Sequence, residues 1–151
     1  MKKISKRRLE REAENSTFVP LDHHADVTVL YDDIDELQQI IKVFPNAIGI
    51  TSSESKRNKD VQPNANHLYR NDFNWKGHPK FLVNDRGTEN HMIINMSAHQ
   101  KLLWYWYARK YALRVDLRGT YDNSDFTVAG THNLAVKLET LVNFLKLINH
   151  D

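Results

Sequence analysis

The amino-acid sequence predicts an α+β fold: a single domain with a mixed sheet of about five to six strands and helices packed mainly on one face. Three observations support this class. Short β-branched runs alternate only in part with segments of helical periodicity. A length of 151 residues suits one domain. A hydrophobic content of 40% is sufficient for a buried core.

The clearest unit of the sequence is a β-α-β segment near the amino terminus. Residues 26–31 form a short β-branched run, the apolar residues of 32–44 recur at helical spacing, and residues 47–51 form a second strand-like run. Asp32 or Asp33 is placed to cap the first turn of the helix. A right-handed parallel crossover is the simplest connection between the two strands.

Two further helices complete the prediction. Residues 97–113 have the strongest helical signal, with Ser97 as the N-cap and Gln100 as its capping-box partner. The last helix runs from about residue 133 to 148, and its leucine stripe indicates packing on the sheet or, in a homodimer, against a second copy of the chain. Short strands are expected at 80–83, 91–95, 114–118 and 125–129, with turns at 85–87 and 121–124.

Two segments lie outside this regular pattern. Residues 1–17 carry a cluster of lysines and arginines followed by three glutamates, which predicts a basic N-terminal arm or a frayed helix. Residues 18–151 form the single domain. Within it, residues 52–80 are polar without a sustained period, which predicts a long loop or one that contains a short hairpin. A loop of this length in a compact domain is usually functional or mobile.

Composition and missing motifs exclude several classes of protein. The chain has no cysteine, which excludes a disulfide framework, a thiolate metal centre and a cysteine nucleophile. Its apolar stretches are too short for a membrane helix, and no apolar region of a secretory signal follows the basic start, so we expect a cytoplasmic location without membrane contact. Glycine-rich nucleotide loops and metal-ligand spacings are absent, so neither a cofactor nor a metal is expected.

The first functional hypothesis is a small nucleic-acid-binding protein for RNA or single-stranded DNA. Residues 52–80 interleave cationic with aromatic side chains, which is how single-strand binders contact the backbone and stack on bases. The predicted contacts are Lys56, Arg57, Arg70, Trp75 and Lys76, together with the N-terminal arm. Arg114 and Arg118 are expected to assist with any phosphate-bearing ligand.

Two alternative functions remain open. His24 and His132 stand at the ends of predicted elements, where two histidines can act as base and acid in metal-independent phosphodiester cleavage by a phosphodiesterase or nuclease. This hypothesis predicts that the two rings meet in one cleft. The other alternative is a non-catalytic interaction or inhibitor protein of a phage or mobile element. It predicts an exposed aromatic patch for a protein partner, formed by Trp104, Tyr107 and Tyr111.

Overall fold

The computed structural model describes residues 25–53, 55–64, 66–74, 76, 79–80, 91–121, 123–128 and 133–149, with the backbone alone at 106, 107, 109 and 149. Within these residues, the chain forms one sheet of six strands and three α-helices. The strands are β1 (Val27–Tyr31), β2 (Ala47–Ser52), β3 (His67–Leu68), β4 (Met92–Met96), β5 (Leu113–Asp116) and β6 (Phe126–Thr127). The helices are α1 (Ile34–Val43), α2 (Lys101–Tyr107) and α3 (Leu134–Asn149), with short 3-10 turns at Arg70–Asp72 and Ala108–Lys110.

The strands lie in the order β3-β2-β1-β4-β5-β6, and each ladder between these strands is parallel. The α+β class, the six strands of a single sheet and the β1-α1-β2 unit confirm the prediction. The strand directions differ from the expected mixture of parallel and antiparallel pairs. Residues 52–80, which were expected to form a long loop, contain strand β3, which pairs with β2 and extends the sheet.

The connection between β5 and β6 shows how two strands joined by a short segment become parallel. The Asp116 carboxylate accepts hydrogen bonds from three backbone N–H groups of the following segment, those of Arg118, Gly119 and Tyr121. These bonds fold the segment over the end of β5, and Gly119 supplies the positive φ of 70° that the fold requires. The chain then returns to the level of Arg114, where Asp125 hydrogen-bonds to its backbone, so β6 starts parallel to β5.

α1 and α2 lie on opposite faces of the sheet because the chain leaves its two central strands in opposite directions. β1 leads through α1 outward to β2, whereas β4 leads through α2 outward to β5. Crossovers of one hand then place their helices on opposite faces. α3 packs beside α1 on the same face, so two of the three helices share one side of the sheet, as predicted.

The face covered by α1 and α3 holds the larger apolar core. Alternate strand residues point into it: Val27, Val29, Met92, Ile94, Leu113, Val115 and Phe126. Leu37 and Ile40 of α1 and Leu138 and Leu141 of α3 pack against these residues and are buried. The leucine stripe of the last helix is therefore used against the sheet.

Gly49 on β2 lies directly below the Leu37 side chain of α1 and beside the Tyr31 ring. A Cβ atom at this position would lie 2.5 Å from Leu37 Cδ2 and 2.6 Å from Tyr31 Cε1. Glycine fits here because a larger residue would require the Leu37 and Tyr31 side chains to move.

The opposite face is covered by α2. Leu30, Leu68 and Ile93 of the sheet pack against Trp104 of the helix, and Tyr111 donates to Thr28 Oγ1 at 2.9 Å. The exposed aromatic patch predicted for a protein partner is wrong at Trp104 and Tyr111, because a parallel sheet must be covered on both faces and these rings provide the second cover. The side chain of Tyr107 lies outside the described residues.

Candidate functional site

Most of the predicted nucleic-acid contacts lie in residues 55–80, which we call the basic segment and which follows the carboxyl end of β2. Among its described residues, the exposed cationic side chains are Lys56, Lys59, Arg70, Lys76 and Lys80. Asp60 is the single exposed acid in the same described set. The described surface of the segment is therefore strongly cationic.

Arg57 differs from the exposed cations of the basic segment because it is paired with an acidic residue. Its Nε and Nη2 atoms donate to Asp72 Oδ1 at 3.2 and 3.1 Å, and its Nη1 donates to the Val61 carbonyl at 3.1 Å. The Asp72 side chain is 1% exposed and also accepts the Tyr69 backbone N–H. Arg57 thus neutralises a buried carboxylate that holds the basic segment together.

A stacked pair of rings lies on β3 and just after it. The His67 and Tyr69 rings are 4.5 Å apart and within 4° of parallel. Ser53 Oγ lies 2.8 Å from His67 Nε2 and fixes the imidazole from the side of β2. Because side chains alternate along a strand, both rings point away from Leu68, which is buried on the α2 face. The alternation in His67-Leu68-Tyr69 is a signal that sequence analysis passed over.

The two later arginines of the predicted set do not lie together. Arg114 forms an ion pair with Asp125 at 3.6 Å, and the Asp125 side chain is 1% exposed. Arg118 follows the end of β5, is 43% exposed, and has its Nη1 3.9 Å from Glu36 Oε1. Both arginines therefore have an acidic partner, but the partner of Arg114 is buried, whereas Arg118 and Glu36 are both partly open to solvent.

The central strands β1 and β4 end beside each other, and polar residues gather at this point. Asp32, directly after β1, accepts the Ser97 hydroxyl on Oδ1 at 2.6 Å and the Ala98 N–H on Oδ2 at 3.0 Å. The sequence predicted Asp32 or Asp33 as the cap of one helix and Ser97 as the cap of another. Asp33 alone caps α1 through the Asp35 N–H, and the tertiary fold uses the other two to join the strand ends.

Gln100 is the second residue whose role differs from the predicted capping box. α2 begins after it, at Lys101, so Ser97 lies too far upstream to cap the helix. The Gln100 amide instead donates from Nε2 to the carbonyls of Tyr31 and Ile50 at 2.9 and 3.2 Å. Its Oε1 atom is buried and has no hydrogen-bond partner.

We call this region the carboxyl-edge crevice: Asp32 after β1, Ser97–Gln100 after β4, and Leu117–Tyr121 after β5. Buried Asp116, at the end of β5, accepts a hydrogen bond from Asn95 Nδ2 of the neighbouring strand at 3.0 Å. This bond holds the third part of the crevice in place. The Tyr121 hydroxyl in turn accepts the Gln100 backbone N–H at 2.8 Å. Hydrogen bonds therefore connect all three parts of the crevice.

Two groups around the crevice have altered acidity. Burial raises the pKa of the Glu36 carboxyl above its usual value, with Asp33 and Asp32 adding to the rise and nearby Arg118 opposing it. Burial likewise raises the pKa of the Tyr121 phenol, and the Asp32 and Asp116 carboxylates add to that effect. Acidic and cationic groups thus lie close enough in the crevice to influence one another.

The comparisons with known proteins identify no relative. No protein-family model matches the chain, and neither does any curated protein or solved structure. In the part of the chain that the structure describes, no helix has the length and apolar character needed to cross a membrane.

Several predicted site residues lie outside the described residues. They are His24 and His132 of the proposed catalytic pair, Trp75 of the aromatic set, and the N-terminal arm at 1–17. Among the residues that the structure does describe, no group of three or more histidine, aspartate or glutamate side chains is arranged to hold a metal ion.

Proposed function

We propose that the chain binds single-stranded nucleic acid, RNA or DNA, through the basic segment. The observation that carries this proposal is the charge of its described surface, which has five exposed cationic side chains and one exposed carboxylate. Such surfaces attract nucleic acid because each cation–phosphate contact releases condensed counterions. Asp72 does not oppose this attraction, because it is buried and neutralised by Arg57.

The stacked rings of His67 and Tyr69 favour a single strand over a duplex. Both side chains are partly exposed, the His67 ring is held by its contact with Ser53, and the Tyr69 ring lies parallel to it. Unpaired bases stack on such rings, and each stacked base contributes about 1–3 kcal/mol. Bases within a duplex already stack on their neighbours and do not present these faces.

The proposed contact residues differ from those that the sequence predicts. Lys56, Arg70 and Lys76 remain as contacts and Lys59 and Lys80 join them, because all five side chains are exposed in the basic segment. Arg57 and Arg114 are left out, since each is paired with a buried carboxylate.

The charge contribution is tested by fluorescence anisotropy with short labelled RNA and DNA strands at two salt concentrations. The test variant carries Lys56→Gln and Lys59→Gln. The matched control carries Lys42→Gln and Lys146→Gln, which remove two exposed lysines from the helices α1 and α3. We expect the test variant to bind at least about tenfold more weakly and to lose about 1.4 units of salt slope, at about 0.7 per phosphate contact.

Two results overturn the charge argument. One is the absence of binding by the unmodified chain at low salt. The other is an equal loss of affinity in the test and control variants, which would indicate that net charge alone governs attraction.

The ring contribution is tested separately with Tyr69→Leu. We expect about a tenfold loss of affinity for single strands and little change for a duplex of the same sequence. Tyr105→Leu is the control, because Tyr105 is an exposed tyrosine on α2, outside the basic segment. Equal losses for single and double strands would remove the stacking argument.

A further inference from the structure

The carboxyl-edge crevice has features of a small-molecule site that the basic segment does not share. β1 and β4 are adjacent, and the chain leaves their carboxyl ends towards opposite faces of the sheet. Open parallel sheets bind ligands in the crevice that forms at such a divergence. The polar groups around this crevice indicate which ligand chemistry it accepts.

The Asp32 carboxylate has a fixed orientation and can accept hydrogen bonds from two hydroxyl groups. Ser97 and Ala98 each donate one hydrogen bond, to different oxygens of the carboxylate, and so fix its orientation. Asp32 is nevertheless exposed, and each carboxylate oxygen accepts more than one hydrogen bond. Two adjacent acceptor oxygens match two neighbouring hydroxyl groups of a sugar.

Arg118 provides a cation suited to phosphate. Its closest acidic contact in the described chain is Glu36 at 3.9 Å, which is longer than a hydrogen bond, and the side chain is 43% exposed. Its backbone is fixed because Asp116 accepts the Arg118 N–H. An exposed guanidinium can bind phosphate with two parallel hydrogen bonds.

The Gln100 side chain adds a buried acceptor without a donor to the polar groups of the crevice. The side chain is 2% exposed, its Nε2 is committed to two strand carbonyls, and Oε1 has no partner. One of those carbonyls belongs to Tyr31, the residue before Asp32. Buried acceptors without a donor are uncommon, because each costs free energy, and a water trapped beside the bound ligand would satisfy this one.

We propose that the carboxyl-edge crevice binds a ribose phosphate. Asp32 accepts the neighbouring hydroxyl groups of the sugar and Arg118 binds the phosphate. A free nucleotide and the terminal nucleotide of an RNA both present this chemistry. The inference is independent of nucleic-acid binding by the basic segment.

The probe is ribose 5-phosphate, titrated into the full chain labelled with ¹⁵N and followed by NMR chemical shifts. We expect saturable shifts at Ala98 and Gly119, and at least about fivefold weaker binding of 2-deoxyribose 5-phosphate, which lacks one hydroxyl. Asp32→Asn should weaken ribose 5-phosphate about tenfold and abolish this discrimination. Asp35→Asn, an exposed acid in the first turn of α1, should change neither.

The phosphate contact is tested with Arg118→Gln. This variant should weaken ribose 5-phosphate about tenfold and leave binding of unphosphorylated ribose unchanged, whereas Arg70→Gln in the basic segment should leave both unchanged. Thermal unfolding of each variant checks that it is folded. The deoxy sugar tests the proposal even if Asp32→Asn does not fold, because that comparison uses the unmodified chain.

Further titrations with nucleotides, RNA and inorganic phosphate identify the source of the ligand or overturn the proposal. If adenosine monophosphate binds and Asp32→Asn weakens its binding, the ligand is a free nucleotide. If a short RNA binds, adenosine monophosphate does not, and Asp32→Asn weakens the binding of the RNA, the ligand is the end of an RNA strand. No shifts with any of the sugar phosphates or nucleotides, or equal affinity for inorganic phosphate and ribose 5-phosphate, would show that the crevice does not recognise a ribose phosphate. Loss of this site would leave strand binding by the basic segment unaffected.

Discussion

The basic segment and the carboxyl-edge crevice lie at the same edge of the sheet. They differ in which charged groups are exposed and in how a buried carboxylate is satisfied. In the basic segment, the described cations are mostly exposed, and one buried ion pair, between Arg57 and Asp72, supports the backbone. In the crevice, buried Asp116 accepts four hydrogen bonds from neutral N–H donors: Asn95 Nδ2 and the backbone of Arg118, Gly119 and Tyr121.

This difference shows that a charge is informative only together with its burial. A buried carboxylate must be satisfied by a cation or by hydrogen-bond donors, so its partners are structural. An exposed lysine has no such requirement and contributes little to stability. The comparison predicts that charge changes in the two regions have different consequences, and three substitutions test this.

The largest effect is expected for Asp116→Asn. With the amide oxygen in the place of Oδ1, the new Nδ2 faces the Tyr121 N–H, and both donors are left without an acceptor. At about 1–3 kcal/mol for each of these two donors, the total loss of stability is about 3–4 kcal/mol. Urea denaturation measures this loss. Asp60→Asn, an exposed acid in the basic segment, should change stability by less than about 0.5 kcal/mol. Similar small changes for both variants would mean that the Asp116 network does not organise the crevice.

A smaller effect is expected for Arg57→Gln. Removing one partner of a fully buried ion pair costs about 3–5 kcal/mol, and we expect about 2–3 kcal/mol here because Arg57 is partly exposed and water replaces part of the interaction. Lys56→Gln, the adjacent residue, should leave the free energy of unfolding unchanged within about 0.5 kcal/mol and should weaken nucleic-acid binding instead. Equal destabilisation by the two changes would contradict the distinction between paired and exposed cations.

The smallest effect is expected for Glu36→Gln. Folding raises the pKa of Glu36, so the folded state favours the protonated form: stability from this group is present at low pH and is lost as the pH rises through the folded pKa. At pH 7 the charged carboxylate therefore costs stability, and the glutamine variant should be more stable by less than about 1 kcal/mol. The difference should shrink as the pH falls below the usual glutamate value.

This pH dependence is measured by thermal unfolding of both proteins between about pH 4 and pH 7. Glu139→Gln is the control, because Glu139 is an exposed glutamate on α3. A variant at Glu36 that is less stable at pH 7 than the unmodified chain would show that the contact with Arg118 outweighs the cost of burying the carboxylate.

The sequence by itself determined the elements that depend on local periodicity. Strand β1, helix α1 and helix α3 lie close to their predicted positions, because the spacing of apolar residues and the caps at Asp33 and Asn133 act within a few residues of the chain. It also identified the cationic and aromatic character of the basic segment, which is a property of composition.

The tertiary structure alone decided the strand directions and the partners of the polar residues. Nothing near Asp32 in the chain indicates that Ser97 lies 2.6 Å from it, and nothing near Arg57 indicates that it pairs with Asp72. The parallel course of β6 depends in the same way on hydrogen bonds that Asp116 makes after β5. The order of the strands in the sheet determines which of these residues come into contact. Strand order is a non-local property that local sequence patterns do not encode.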